Sequence, residues 1–108
     1  MLALLAGAAT AHAAPQHTTR FWNLTGDTVM HLYLAPAGTT KWSADQCRND
    51  PDGSVDFDER LPIKDITTGR YDAKLTERSG RICTVRNVEI KAGAIFTIDK
   101  AALTDCTR

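Results

Sequence analysis

Short apolar runs of period two, separated by glycine turns, recur along this chain, and that spacing is the strongest constraint on its fold. Met30, Leu32 and Leu34 alternate with Val29, His31 and Tyr33, and Tyr71, Ala73 and Leu75 alternate with Asp72, Lys74 and Thr76. A period of two sends successive side chains to opposite faces of a sheet. Gly26-Asp27, Pro36-Ala37-Gly38, Thr67-Thr68-Gly69, Ser79-Gly80 and Ala92-Gly93 punctuate the runs, and these residue types favour turns. Six or seven short strands at such close spacing read as a small antiparallel β-sandwich, an all-β class.

The strands differ in what they bury. Thr18 to Thr25 carries Phe21, Trp22 and Leu24. Thr28 to Pro36 is apolar on both faces, which predicts a central strand with His31, Val29 and Tyr33 sharing one face. Leu61, Ile63 and Ile66 resume order after a long gap. Ser79-Gly80 makes a hairpin turn into Ile82 to Ile90. Within that strand Cys83 and Val85 are odd-numbered whereas Val88 and Ile90 are even. The parity switch predicts a β-bulge near Arg86-Asn87. Phe96 and Ile98 complete the last long strand, and Ala101-Ala102-Leu103 predicts one helical turn before Cys106.

Residues 1–13 run Met1-Leu2-Ala3-Leu4-Leu5 through Ala11-His12-Ala13, an apolar stretch ending in small residues, as at a signal-peptidase site. It carries no basic n-region, as a signal clipped at its start would not. The expectation is a signal peptide over 1–13 and one β-sandwich domain over 14–108, with periplasmic or secreted localisation. No other segment is apolar enough to span a membrane. Acidic and basic residues number 13 each, so no global field draws nucleic acid or anionic lipid. Export to an oxidising compartment makes a disulfide the expected state for two of the three cysteines. Cys83–Cys106 is favoured, since it pins the tail to a core strand, with Cys47 as the free thiol; Cys47–Cys83 is the rival pairing.

Residues Asn23 to Cys106 resemble a group of small secreted proteobacterial proteins. The likeness rests on an early N-x-T/S-G strand (Asn23-Leu24-Thr25-Gly26) and a Trp, and on Tyr71-Asp72-Ala73-Lys74-Leu75. It also rests on Gly80-Arg81-Ile82-Cys83 and the terminal Leu103-Thr104-Asp105-Cys106. The hairpin from Leu61 to Leu75 looks like that of immunoglobulin-like and transthyretin-like sandwiches. The resemblance implies export and that fold, and supplies no catalytic residue.

From Thr39 to Arg60 no strand period appears, and connections of such length are usually functional or disordered. Trp42 is expected to anchor one end of it on the sandwich. Residues 48–59, in the register of an EF-hand loop, place Asp50 at position 3, Asp52 at 5, Gly53 at 6 and Ser54 at 7. Val55 then falls at 8, Asp56 at 9 and Glu59 at 12. Calcium takes six to eight oxygens, which such a loop supplies from alternating carboxylates and one main-chain carbonyl around a glycine turn. Arg48 occupies position 1, where a carboxylate is expected, and Leu61-Pro62-Ile63 does not continue a helix. The metal reading is therefore a weak single Ca²⁺ site formed by Asp50, Asp52, Ser54, Asp56 and Glu59 on a β domain. The plain reading is a solvated loop.

Catalysis has little support. His31 is the one histidine inside the expected fold, with Asp72 and Asp65 as candidate partners and no nucleophile context. Asp56 and Glu59 form a carboxylate pair in a loop with no apolar pocket to raise a pKa. Arg70, Lys74, Arg78, Arg81, Arg86 and Lys91 make a basic sheet face without interleaved aromatics, so nucleic-acid binding is not expected. Asn23-Leu24-Thr25 matches a glycosylation sequon. The expected function is a non-enzymatic exported binding module with calcium at the acidic loop. The alternative is a periplasmic protein–protein module, an envelope-stress factor or hydrolase inhibitor, that docks an unknown protein partner without metal.

Overall fold

The computed structural model describes residues 17–108, so the expected signal peptide over 1–13 lies outside the described residues. The described chain forms seven strands in two sheets. They are β1 (Arg20–Leu24), β2 (Val29–Pro36), β3 (Arg60–Pro62), β4 (Gly69–Glu77), β5 (Ile82–Ile90), β6 (Ile95–Asp99) and β7 (Cys106–Thr107). One sheet has the order β3-β1-β6 and the other β2-β4-β5-β7. Every strand pair is antiparallel except β1 with β6, which run parallel. Those two strands come from opposite ends of the domain, so no hairpin dictates their direction. Single turns of 3₁₀ helix cover Gln46–Asn49 and Lys100–Ala102, the second close to the expected helical turn. Among the described residues no helix is long and apolar enough to cross a membrane.

The all-β sandwich is as the periodicity predicts. Phe21, Leu61, Phe96 and Ile98 project from the three-stranded sheet into one core with Val29, Leu32, Leu34, Ala73, Leu75, Cys83 and Ile90 of the other. The Phe21 and Phe96 rings lie 5.5 Å apart. Each such Leu, Ile or Phe contributes about 1.5–3 kcal/mol when fully buried.

The predicted bulge is present. Tyr71 lies opposite Val88 and Ala73 opposite Val85, so Asp72 alone faces both Arg86 and Asn87. Asn87 takes the left-handed conformation (φ 61°), which Asn tolerates better than most residues. The extra residue lets Val85 and Val88 both turn to the core despite their opposite parity.

Two details correct the expectations. A second irregularity sets Val29 opposite Glu77 but His31 opposite Thr76. Met30 is the extra residue, so Val29 is buried while His31 and Tyr33 face outward together. Strand β2 is also an edge of its sheet, not a central strand; β4 and β5 are central. Its apolar residues on both faces reflect cover by the segment that follows it.

Candidate functional site

The segment from Ala37 to Glu59 folds onto the open edge of β2. Ser43 N–H donates to Leu34 C=O (2.8 Å), and Leu34 N–H donates to Ser43 Oγ (3.1 Å). Asp45 Oδ1 accepts from Leu32 N–H and from Cys47 N–H, each at 3.0 Å, so one carboxylate serves the strand edge and caps the 3₁₀ turn. Val29 and Val55 exchange both backbone bonds at 2.9 Å. An uncovered edge is a template for unwanted pairing, and this long connection removes it for β2.

Asp45 Oδ2 also lies 2.7 Å from His31 Nδ1. His31 thus pairs with a loop carboxylate, and neither Asp65 nor Asp72 is its partner. Burial pushes the Asp45 carboxyl up. The His31 bond and the Leu32 and Cys47 N–H groups outweigh it, leaving the pKa below the ordinary 3.8.

The far side of the loop is tied to β3 and β1. Gln46 Oε1 accepts from Asn49 Nδ2 (2.9 Å) and Lys64 N–H (3.1 Å), and Asn49 Nδ2 reaches Pro62 C=O (2.8 Å). Asn23 is fully buried. Its Nδ2 donates to Asp27 C=O (2.8 Å) and Val55 C=O (2.9 Å), while its Oδ1 accepts from Thr25 N–H (3.0 Å) and Oγ1 (2.7 Å). The N-x-T-G motif is therefore a structural turn, and the sequon nitrogen is spent inside the fold.

The acidic residues are placed as follows. Asp50 Oδ1 accepts from Asp52 N–H (2.8 Å), and Gly53 N–H returns to Asp50 C=O (2.9 Å), closing a turn with Gly53 at φ 74°. Glycine adopts that conformation without the steric cost a side chain brings. Asp52 is exposed and Ser54 half-buried. Asp56 Oδ1 accepts from Thr28 Oγ1 (3.0 Å), and Asp56 N–H donates to Glu59 Oε1 (2.8 Å). Asp58 N–H binds Asn23 C=O (2.7 Å), and its Oδ1 accepts from Trp22 Nε1 (2.9 Å), with the Arg60 guanidinium 4.3 Å from the Trp22 ring. The fold joins Asp50 with Asp52, and Asp56 with Glu59, as two separate turns. Among the described residues no group of three or more His, Cys, Asp or Glu side chains is placed to hold a metal ion. Val55, at the apolar position of the motif, is fully buried.

What sequence reasoning missed is Phe57. It is 55% exposed, the most exposed large apolar side chain among the described residues. Its signal was an aromatic ring between Asp56 and Asp58, where a solvated loop has no use for one.

Three of the six residues of the expected basic face have acidic partners. Arg81 Nε meets Glu77 at 2.7 Å, Arg86 meets Asp72 at 3.3 Å and Arg70 meets Glu89 at 4.0 Å. The Lys74 ammonium lies 4.7 Å from the Trp42 ring and 5.7 Å from that of Tyr33, so Trp42 does anchor the loop on the outer sheet face. Cys83 and Cys106 form the expected disulfide, joining directly paired residues of β5 and β7. Cys47 is free and buried, and burial first, then the charges of Asp45 and Asp50, push its thiol up to about 12. No protein-family model, curated protein or solved structure matches the chain.

Proposed function

We propose that this protein is an exported, non-enzymatic binding module that docks a protein partner through the loop tip around Phe57. The carrying observation is a 55% exposed aromatic side chain on backbone held at both sides. Val55 is tied to β2, and Asp58 to β1 through Asn23. A pre-ordered loop loses little conformational entropy on association, and aromatic anchors supply much of the energy of protein interfaces. Asp56 and Asp58 flank Phe57 in the chain, with Asp52 and Glu59 in the same loop. The fitting partner surface is an apolar pocket with a basic rim, which the acids would steer and orient. The Cys83–Cys106 disulfide and the leader-like residues 1–13 support export.

The test is retention of envelope proteins on immobilised wild type and Phe57→Ala, each with Ca²⁺ or with chelator. Wild type should retain a partner in both conditions and Phe57→Ala should lose it. Equal retention by the two would remove Phe57 from the docking site. Melting with millimolar Ca²⁺ separates the metal reading: a rise in Tm abolished by Asp52→Ala would place calcium at residues 48–59 instead.

A further inference from the structure

The sheet edges of this sandwich are treated unequally. The edge of β2 is covered by the segment carrying Ser43, Asp45 and Val55. Strand β3 has three residues, one of them Pro62, and β7 has two; short strands and proline both blunt an edge. Strand β6 is different. It is five residues long, paired with β1 on one side, and has no strand partner on the other among the described residues.

The phase of that edge can be read from one bond. Arg20 N–H donates to Ala94 C=O at 3.2 Å, with Arg20 opposite Ile95. In a parallel ladder this turns the backbone groups of Ala94, Phe96 and Ile98 toward β1 and those of Ile95, Thr97 and Asp99 outward. The side chains obey the other alternation: Phe96 and Ile98 are buried, while Ile95 is 48% exposed and Thr97 is exposed. Ala94-Ile95-Phe96-Thr97-Ile98 holds no charge, proline or glycine. Such a segment is strongly disposed to add another strand.

We infer that the β6 edge pairs with the β6 edge of a second copy, forming a two-fold dimer by strand addition. The edge is self-complementary. With the dyad at Phe96, Ile95 of each copy lies opposite Thr97 of the other, as hydrogen-bonded pairs that use the outward N–H and C=O groups of both. A β-branched residue then faces a β-branched residue, a favourable cross-strand pair. Asp99 falls opposite Gly93, so like charges do not meet. A two-fold axis closes the contact, so pairing stops at two copies and joins the three-stranded sheets into one of six strands.

Sedimentation equilibrium from micromolar to millimolar protein tests this with wild type, Thr97→Lys and Ile95→Lys. Both positions are exposed and neither contributes to the core, and far-UV circular dichroism checks that each variant is folded. Wild type should show a monomer–dimer equilibrium, weakened about tenfold or more in each variant, since edge lysines block strand addition. An equimolar mixture of Thr97→Lys with Ile95→Glu should recover a dimer through the restored opposite charges. A wild type monomeric throughout, or a dimer indifferent to both lysines, overturns the inference.

Discussion

The Asp72 carboxylate sits 3.0 Å from the Asn87 backbone N–H, across the bulge that Asn87 creates. The same carboxylate accepts from Gly38 N–H at 3.0 Å and from Arg86 Nη1 at 3.3 Å. It is 2% exposed. One buried charge therefore fastens the bulge in β5 to the turn that leaves β2. The Gly38 and Asn87 donors, with Arg86 adding to them, hold its pKa below 3.8 against the opposing effect of burial.

Replacing Asp72 by Asn should destabilise the fold by about 3 kcal/mol. The amide keeps one accepting oxygen and turns its NH2 toward the N–H donors of the other, and the charge that strengthens all these bonds is lost. The sign of the pH dependence follows from the lowered pKa. The stabilisation is complete above the unfolded carboxyl value near 3.8 and is lost as pH falls through the lower folded value. Urea melts of wild type and Asp72→Asn should differ most near neutrality and converge in strong acid.

Asp45→Ala removes the acceptor for Leu32 N–H and Cys47 N–H together. A loss of about 2 kcal/mol is expected. Leu32 N–H is then released at the β2 edge, and hydrogen exchange at Leu32 should accelerate more than at Leu75 in the neighbouring strand. Uniform acceleration across both strands would mean that Asp45 supports global stability without guarding the edge.

Asn23→Ala leaves Thr25 N–H without its buried acceptor and removes one of the two donors to Val55 C=O, which keeps Val29 N–H. A cost of about 2 kcal/mol is expected, at roughly 1–3 kcal/mol for an unsatisfied buried group. Asn23→Asp should cost a similar amount, because the Nδ2 bonds to Asp27 C=O and Val55 C=O become acceptor–acceptor contacts. Thermal denaturation measures both.

Non-reducing mass spectrometry should find Cys83 linked to Cys106 and a single alkylated cysteine, Cys47, only after denaturation. In the folded protein its thiol is buried and raised to about 12, so little nucleophilic thiolate is present. Reduction should lower stability by ~3 kcal/mol for a link closing a 23-residue separation. Fast native alkylation of Cys47 would show that the loop over it opens readily.

The strands, their turns and the β5 bulge were legible in the sequence, because period-two burial and its parity switch are local consequences of which side chains avoid water. The disulfide was favoured over the rival Cys47–Cys83 pairing because it pins the tail to a core strand. The β5–β7 register that sets the two cysteines opposite each other came only with the fold. The acidic loop was legible only as composition. Its spacing matched a calcium motif at Asp50, Asp52, Gly53, Asp56 and Glu59. Whether a carboxylate faces a common point or its neighbour's N–H depends on backbone direction, which residue types do not encode.

Tertiary structure alone decided that β2 is an edge, since an apolar strand reads the same whether another strand or a folded-back loop covers it. It decided that His31 meets Asp45 and that Asn23, beyond its own turn, reaches Val55, both contacts between segments joined only by the fold. It also decided that the long connection is a fastened cover holding Phe57 outward, because the bonds that pin it run to β1, β2 and β3. Side-chain periodicity is set by solvent within each segment, whereas pairing and presentation are set by which segments meet.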